Sequence, residues 1–320
     1  MKYTSHESDL RLVVSAKYDG ADGVAVLQLQ NTDGTDLPEW TPGAHVDLVL
    51  TPEITRQYSL CGSPTDRSTW QIGVLKKLGG RGGSQFVHDK LGVGDTVRVR
   101  GPRNHFELEE SANYLFIAGG IGITPLVPMA AEADRAGAQW TLVYGGRSRS
   151  TMAFVDELAG NYPDNVVLFP QDVKGMINLD ELLGRSTPGT LIYACGPETL
   201  LDAVAEKSQS WPEGSVHFER FNAKTLNGPT PNSSFEVELA LTGHTITVQP
   251  TESILDAVAA RGIQVLSSCR EGICGTCETR VLDGTVEHRD SLLTRQEQEA
   301  NDTMMICVSR ATSARLVLEL

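Results

Sequence analysis

Residues 266–286, LSSCREGICGTCETRVLDGTV, place three cysteines within nine positions of a chain that holds six. The spacing is Cys269-x4-Cys274-x2-Cys277, and Cys307 follows after a gap of 29 residues. Four thiolates spaced as C-x4-C-x2-C…C suit a [2Fe–2S] cluster. Such a loop must wrap a small inorganic core and aim backbone N–H groups at its sulfides. Gly272 and Gly275 allow that curvature, while Ser267, Ser268 and Thr276 leave room and offer hydrogen bonds that tune the potential. Structural zinc favours two separated C-x2–4-C pairs rather than a trio and a distant single. Cysteines that only fill a core would show neither the clustering nor the glycines.

Other residues with chemistry are spread along the first 220 positions. Arg56-Gln57-Tyr58-Ser59-Leu60 offers a cation, a ring and a hydroxyl, with Arg56 and Tyr58 on one face of a strand. Gly79-Gly80-Arg81-Gly82-Gly83-Ser84 precedes the helix-like QFVHDKL, where backbone N–H groups can cradle a terminal phosphate; the alternative is a flexible turn. Gly119-Gly120-Ile121-Gly122-Ile123-Thr124-Pro125 ends an apolar run and opens a helix, a place that favours a pyrophosphate; the alternative is a merely tight turn. Arg147, in YGGRSRS, is a phosphate or ribose contact or a solvated loop arginine. Asp172 can accept hydrogen bonds from a ribose diol and repel a 2′-phosphate, which favours NAD over NADP. Cys195, in CGP, is a lone cysteine of the kind that usually packs.

The elements that must position these groups change rhythm twice. Residues 1–108 read as short strands with turn signals, an antiparallel β-barrel. Residues 109–222 alternate buried apolar runs (NYLFIAG, TLVYGG, VVLFPQD, TLIYACG, SVHFERF) with helical stretches, an α/β parallel-sheet nucleotide domain with ligands at the carboxyl ends of the strands. Residues 223–233 are a linker rich in Pro, Gly, Asn and Ser. Residues 234–320 give a hairpin joined near Thr242-Gly243, a helix capped by Thr251 or Ser253, the cysteine loop and closing strands. That is the β-grasp pattern of plant-type ferredoxins.

With 320 residues the chain is long enough for two or three cores. Its net charge of −14 argues against nucleic acid or anionic membrane as a partner. The start, MKYTSHESDL, lacks a signal-peptide pattern, and no apolar stretch approaches the ~20 residues of a membrane span. A cytoplasmic protein is expected, and there thiols stay reduced. From Ser233 onward there are 7 Arg, no Lys and 13 acidic residues, a net of −6. That face suits a basic docking partner or simply solvent.

The order R-Q-Y-S-L, G-G-R-G-G-S, G-G-I-G-I-T-P, Y-G-G-R-S, C-G-P, H-F-E-R-F and a terminal cysteine loop resembles the phthalate dioxygenase reductase family over essentially the whole chain. The resemblance implies an FMN-binding barrel, an NAD domain and a C-terminal [2Fe–2S] ferredoxin domain. Arg56, Tyr58 and Ser59 would contact FMN, and Gly82, Gly83 and Ser84 would hold its phosphate. Gly120, Gly122, Arg147 and Asp172 would serve NADH, Thr124 would lie near the flavin or nicotinamide, and Cys195 near the carbon that gives up hydride. Phe221 would cover the flavin ring until nicotinamide displaces it; without the family it reads equally as a core residue at a strand end. The implied activity carries electrons from NADH through FMN and the cluster to a Rieske-type oxygenase. That oxygenase would dock near Arg270, Glu271 and Ile273, on a monomeric reductase. A reductase of a soluble diiron hydroxylase is the alternative within enzymes, and a metal-bearing sensor or binding module the alternative outside them. His45 is expected to pack or hydrogen-bond within the barrel.

Overall fold

The computed structural model describes residues 8–223 and 233–320. The chain divides into two compact units, Met1–Glu219 and Arg220–Leu320. The first seven residues, and all of the expected linker but its two ends, lie outside the described residues.

The first unit contains two sheets. Strands β1 (Ser8–Ala21), β2 (Val24–Asn31), β3 (His45–Thr51), β4 (Ile54–Ser59), β5 (Trp70–Leu75) and β6 (Thr96–Arg103) are antiparallel in the order β4-β3-β6-β1-β2-β5. The two edges meet in a bridge between Leu60 and Ile72, which closes the sheet into a barrel. Alternate side chains point inward: Leu12, Val14, Leu27, Leu29, Val46, Leu48 and Trp70 are all fully buried. β1 bends at irregularities after Val14 and after Asp19, so its first part pairs with β6 and the rest with β2. Helix α1 (Gly83–Asp89) packs against β3, β4 and β5.

The second sheet is wholly parallel. β7 (Asn113–Gly119), β8 (Gln139–Gly146), β9 (Val166–Pro170), β10 (Thr190–Cys195) and β11 (Val216–Glu219) lie in the order β11-β10-β7-β8-β9. The chain runs outward from β7 to β9, then returns to the other side of β7 for β10 and β11. That reversal leaves a crevice beyond the carboxyl ends of β7 and β10, where open α/β sheets bind ligands. α2 (Leu126–Arg135) and α6 (Glu198–Lys207) are the helices legible in the sequence; α3 (Val155–Asn161), α4 (Gln171–Lys174) and α5 (Leu179–Leu183) are additional.

The second unit has β12 (Phe235–Leu239), β13 (His244–Val248), α7 (Ile254–Ala259), β14 (Glu278–Asp283), β15 (Val286–Glu287), α8 (Arg295–Ala300), β16 (Thr303–Met305), β17 (Arg310–Ala311) and β18 (Arg315–Leu318). Its main sheet runs β13-β12-β18-β14-β16, and β12 and β18 are parallel neighbours. Ser253 caps α7 by accepting the Asp256 N–H, which settles the choice against Thr251. Ile254, Leu255 and Val258 bury the apolar face of α7 in a core that also takes in Cys277 and Cys307. Arg310 ties this unit's irregular segments together, donating to the carbonyls of Glu252, Gln249 and Ser233 at 2.7, 3.0 and 3.1 Å. Among the described residues no helix is long and apolar enough to cross a membrane.

Candidate functional site

Cys269, Cys274 and Cys277 lie on the loop between α7 and β14, and Cys307 lies between β16 and β17. All four are buried, and all six thiols of the chain are free. The loop turns through three left-handed residues, Arg270 (φ 58°), Gly272 (φ 69°) and Gly275 (φ 71°). Two are glycines, for which that conformation carries no side-chain penalty. Arg270 adopts it with its guanidinium paired to Asp256 on the capped first turn of α7. The curvature aims donors at sulfur. The Glu271 N–H donates to Cys269 Sγ at 3.3 Å and the Cys269 N–H to Cys274 Sγ at 3.5 Å, while the Thr276 hydroxyl lies 3.2 Å from Cys274 Sγ. The Cys269 thiol neighbours those of Cys274 and Cys307, and Cys307 neighbours Cys277. Among the described residues no three His, Cys, Asp or Glu side chains gather as they do for one metal ion. A binuclear cluster asks for a different arrangement, four thiolates around two irons, and the neighbouring sulfurs with N–H donors fit that group. Near this loop Arg270 is exposed, Glu271 and Ile273 are half-buried, and Leu266, unmarked by any sequence motif, is 65% exposed.

In the first unit, Arg56 reaches from β4 to the glycine loop. Its guanidinium donates to the Arg81 carbonyl at 2.7 Å. Gly83 makes this approach possible, since a Cβ there would stand 2.5 Å from Arg56 Cγ. Gly82 caps α1 in the left-handed region, at φ 79°. The Ser84 hydroxyl accepts the Lys77 N–H at 3.0 Å, so it holds the loop. At the other end of α1 the Lys17 ammonium donates to the carbonyls of Val87, His88 and Leu91, at 2.8, 2.7 and 2.8 Å. A cation on the last carbonyls of a helix is favourable, and here it fixes the helix to β1. A guanidinium beside a glycine loop that opens a helix suits a terminal phosphate. Tyr58 is half-buried beside the barrel core, and burial pushes its phenol up to about 12.

The carboxyl ends of three strands converge close by. Ser59, ending β4, donates from its hydroxyl to Glu219 Oε2 at 3.3 Å, and Glu219 ends β11. Cys195 Sγ, ending β10, lies 4.0 Å from the same oxygen. Burial pushes the Glu219 carboxyl up to about 8, opposed by the Ser59 hydrogen bond. Burial, and then the Glu219 charge, hold the Cys195 thiol well above its ordinary range, so it is a neutral thiol rather than a nucleophile. Glu219 was not singled out in the sequence, although it sits in HFERF two residues before Phe221. Phe221 itself lies beyond β11, half-buried, at the start of the second unit.

The glycine-rich loop after β7 differs from the sequence expectation. Gly120–Ile123 forms a 3-10 turn, and α2 begins only at Leu126. A Cβ at Gly122 would stand 2.3 Å from the Cys195 carbonyl oxygen, and one at Gly119 2.6 Å from Pro197. These glycines therefore let the loop lie against the CGP turn, backbone on backbone. Gly120, at φ 54°, faces open space, and its carbonyl accepts the Tyr144 hydroxyl at 3.1 Å. Thr124 is 2% exposed, with its hydroxyl spent on the Ile121 carbonyl at 3.0 Å. Its methyl stands 3.0 Å from where a Cβ on Gly73 of β5 would be, so Thr124 packs the parallel sheet onto the barrel. Arg147 follows β8, exposed, and its carbonyl accepts the Asp172 N–H at 3.1 Å. Asp172 is likewise exposed, in the first turn of α4 rather than in β9. His45 is buried with its Nε2 unpartnered, its ring centroid 6.1 Å from that of His105; burial depresses its pKa well below the usual value, helped by Arg103.

A closed antiparallel barrel joined to a parallel sheet, with a β-grasp unit carrying four clustered thiols, defines a modular electron-transfer reductase. The profile of the 2Fe-2S iron-sulfur cluster binding domain matches residues 237–312. That of the dimethylamine monooxygenase subunit DmmA-like N-terminal domain matches residues 96–211. The phenoxybenzoate dioxygenase subunit beta of Ectopseudomonas oleovorans is 41% identical over 302 residues, 94% of each chain. The solved phthalate dioxygenase reductase, described as a modular structure for electron transfer from pyridine nucleotides to [2Fe–2S], is 34% identical, with a TM-score of 0.71 and 98% of both chains covered. An intact type IV self-sufficient cytochrome P450 monooxygenase is 43% identical with a TM-score of 0.92, over 98% of this chain and 41% of that one. This chain thus spans less than half of that longer protein. It belongs to the phthalate dioxygenase reductase family, oxidoreductases whose fold binds FMN, NADH and a [2Fe–2S] cluster and which are the reductase components of oxygenase systems.

Proposed function

We propose that this chain passes electrons from NADH, through FMN, to a cluster held by Cys269, Cys274, Cys277 and Cys307, and on to a Rieske-type oxygenase. FMN, when bound, supplies the conversion between a two-electron hydride donor and a one-electron acceptor. Arg56 and the N–H groups of Gly82 and Gly83 hold its phosphate, with Ser84 bracing the loop. Tyr58 and Ser59 line the flavin. Gly120 and Arg147 take the NADH pyrophosphate, and Asp172 takes the adenosine ribose and disfavours a 2′-phosphate. Thr124 sets the seam between barrel and sheet. Cys195, Ser59 and Glu219 form a mostly buried, uncharged wall where nicotinamide meets flavin, and Glu219 keeps a proton there at neutral pH.

The observation that carries this reading is the meeting of Ser59, Cys195 and Glu219 from one barrel strand and two parallel strands. An absorption spectrum, identification of the released flavin and an anaerobic NADH titration test it. Flavin and cluster bands that both bleach with NADH, with FMN released, are expected. A purified chain with no flavin, or a cluster band untouched by NADH, would sink the reading.

The acceptor docks at the cluster loop, on Arg270, Glu271, Ile273 and the exposed Leu266, with the unit's net charge of −6 selecting a basic surface. The reductase acts as a cytoplasmic monomer, in a compartment that keeps its ligand thiols reduced. A cytochrome P450 acceptor is a second reading, supported by the 43% likeness to part of a P450 monooxygenase. Electron delivery from the reduced chain to a purified Rieske oxygenase and to a purified P450, compared side by side, decides between the two.

A further inference from the structure

The cluster ligands sit on two separate pieces of chain, and something must set the distance between them. The loop from Cys269 to Cys277 supplies three, and the segment that enters β17 supplies Cys307. Between them in space lies the turn that follows β15, His288-Arg289-Asp290-Ser291. The Asp290 side chain is fully buried. Its Oδ2 accepts the N–H groups of Leu292 and Leu293 at 3.1 and 2.8 Å. Its Oδ1 faces the Ser309 hydroxyl at 3.5 Å and His288 Nδ1 at 3.7 Å.

Both ligand pieces touch this turn. On one side the Ser291 N–H donates to the Gly272 carbonyl at 2.9 Å, and a Cβ on Gly272 would stand 3.0 Å from Asp290 Cα. On the other, Ser309 is two residues beyond Cys307, 1% exposed, and its hydroxyl accepts the Arg289 N–H at 3.2 Å. None of these contacts involves a thiol.

We propose that Asp290 is a positioning residue for the cluster: its carboxylate locks the 290–293 turn, and the turn holds the Cys269–Cys274 loop and the Cys307 segment at the separation the two irons require. The inference rests on the four cysteines being the ligands. Partners one layer outside a metal centre typically change its affinity by about ten- to a hundredfold when removed. Asp290→Asn keeps an oxygen to accept the two amide N–H groups; Asp290→Ala removes it.

The test uses the full chain, purified anaerobically as wild type, Asp290→Asn, Asp290→Ala and Ser309→Ala. Iron and acid-labile sulfide are counted, the loss of visible absorbance under a strong chelator is timed, and the reduced cluster is examined by electron paramagnetic resonance. Asp290→Ala is expected to lose its cluster about tenfold faster than wild type and to show an altered resonance. Asp290→Asn is expected within about twofold of wild type, a rescue that a bulk loss of folding would not give. Ser309→Ala, the milder change, is expected to fall between them and serves if Asp290→Ala does not fold. A wild-type half-life and resonance in both alanine variants would overturn the inference, as would an Asp290→Asn chain as labile as Asp290→Ala. A wild-type chain without two irons would overturn the ligand assignment instead.

Discussion

Replacing Glu219 with glutamine tests the uncharged wall directly. An isolated glutamate titrates near 4.5, and this one is pushed up to about 8 by burial. The native state therefore binds a proton that the unfolded state has released between those two values. Native stability from this group is fully present below 4.5 and is lost as pH rises through about 8. Each pKa unit is worth about 1.36 kcal/mol, so a shift of this size reaches on the order of 5 kcal/mol as an upper bound. Glu219 is half-buried, so solvent screening brings that to roughly 2–3 kcal/mol. Glutamine does not titrate, so Glu219→Gln should match wild type near pH 5 and exceed it by about that amount near pH 8. Urea unfolding followed by flavin fluorescence reports on the first unit separately from the cysteine unit. A stability gap that does not change with pH, or one that favours wild type as pH rises, would mean that Glu219 is ionised in the folded chain. The account of an uncharged wall would then fall.

Other consequences are equally concrete. Gly83→Ala places a Cβ against Arg56 and pushes the guanidinium off the loop; losing a charge-assisted contact of about 1.5–3 kcal/mol should weaken FMN binding about ten- to a hundredfold and leave the cluster bands unchanged. Asp172→Ser, at an exposed position, should raise the NADPH-to-NADH efficiency ratio by about tenfold with little effect on stability, read from kcat/KM for each nucleotide. Gly122→Ala drives a methyl into the Cys195 carbonyl and should cost about 1–3 kcal/mol or more, seen as a lowered Tm of the first unit. Cys274→Ser should abolish the cluster absorbance while NADH still reduces the flavin.

The cysteine loop was legible because its chemistry is local: three of the four ligands, the intervening glycines and the Ser253 cap all fall within 25 residues. The five parallel strands were legible because strands covered on both faces become unbroken apolar runs, as in NYLFIAG and TLIYACG. The site around Glu219 was not. Ser59 and Glu219 are separated by 160 residues, and only the docking of barrel on sheet brings them together. The glycines after β7 were visible, but not that two of them would admit another turn. Gly119 and Gly122 admit the neighbouring CGP backbone, and periodicity in one segment carries no information about which turn will lie against it. Thr124, which the family resemblance placed near the flavin or nicotinamide, has its hydroxyl bound to its own turn, a local contact that no motif announces. The capping box of α8, Thr294 with Glu297, was written in the sequence and simply passed over.

The order of strands in the second unit has a consequence for how the unit is made. β18 lies between β12 and β14, so the strand of this unit that follows all its others in sequence is an interior member of the sheet. Until Arg315–Leu318 leaves the ribosome, β12 and β14 have no common neighbour, and the sheet that the cysteine loop leads into is split. Pairing β12 with β18 closes a loop of more than 70 residues, a slow and non-local step. Iron and sulfide are therefore expected to be installed only after β18 has emerged and paired, and a nascent chain stalled before Arg315 would be unable to retain them.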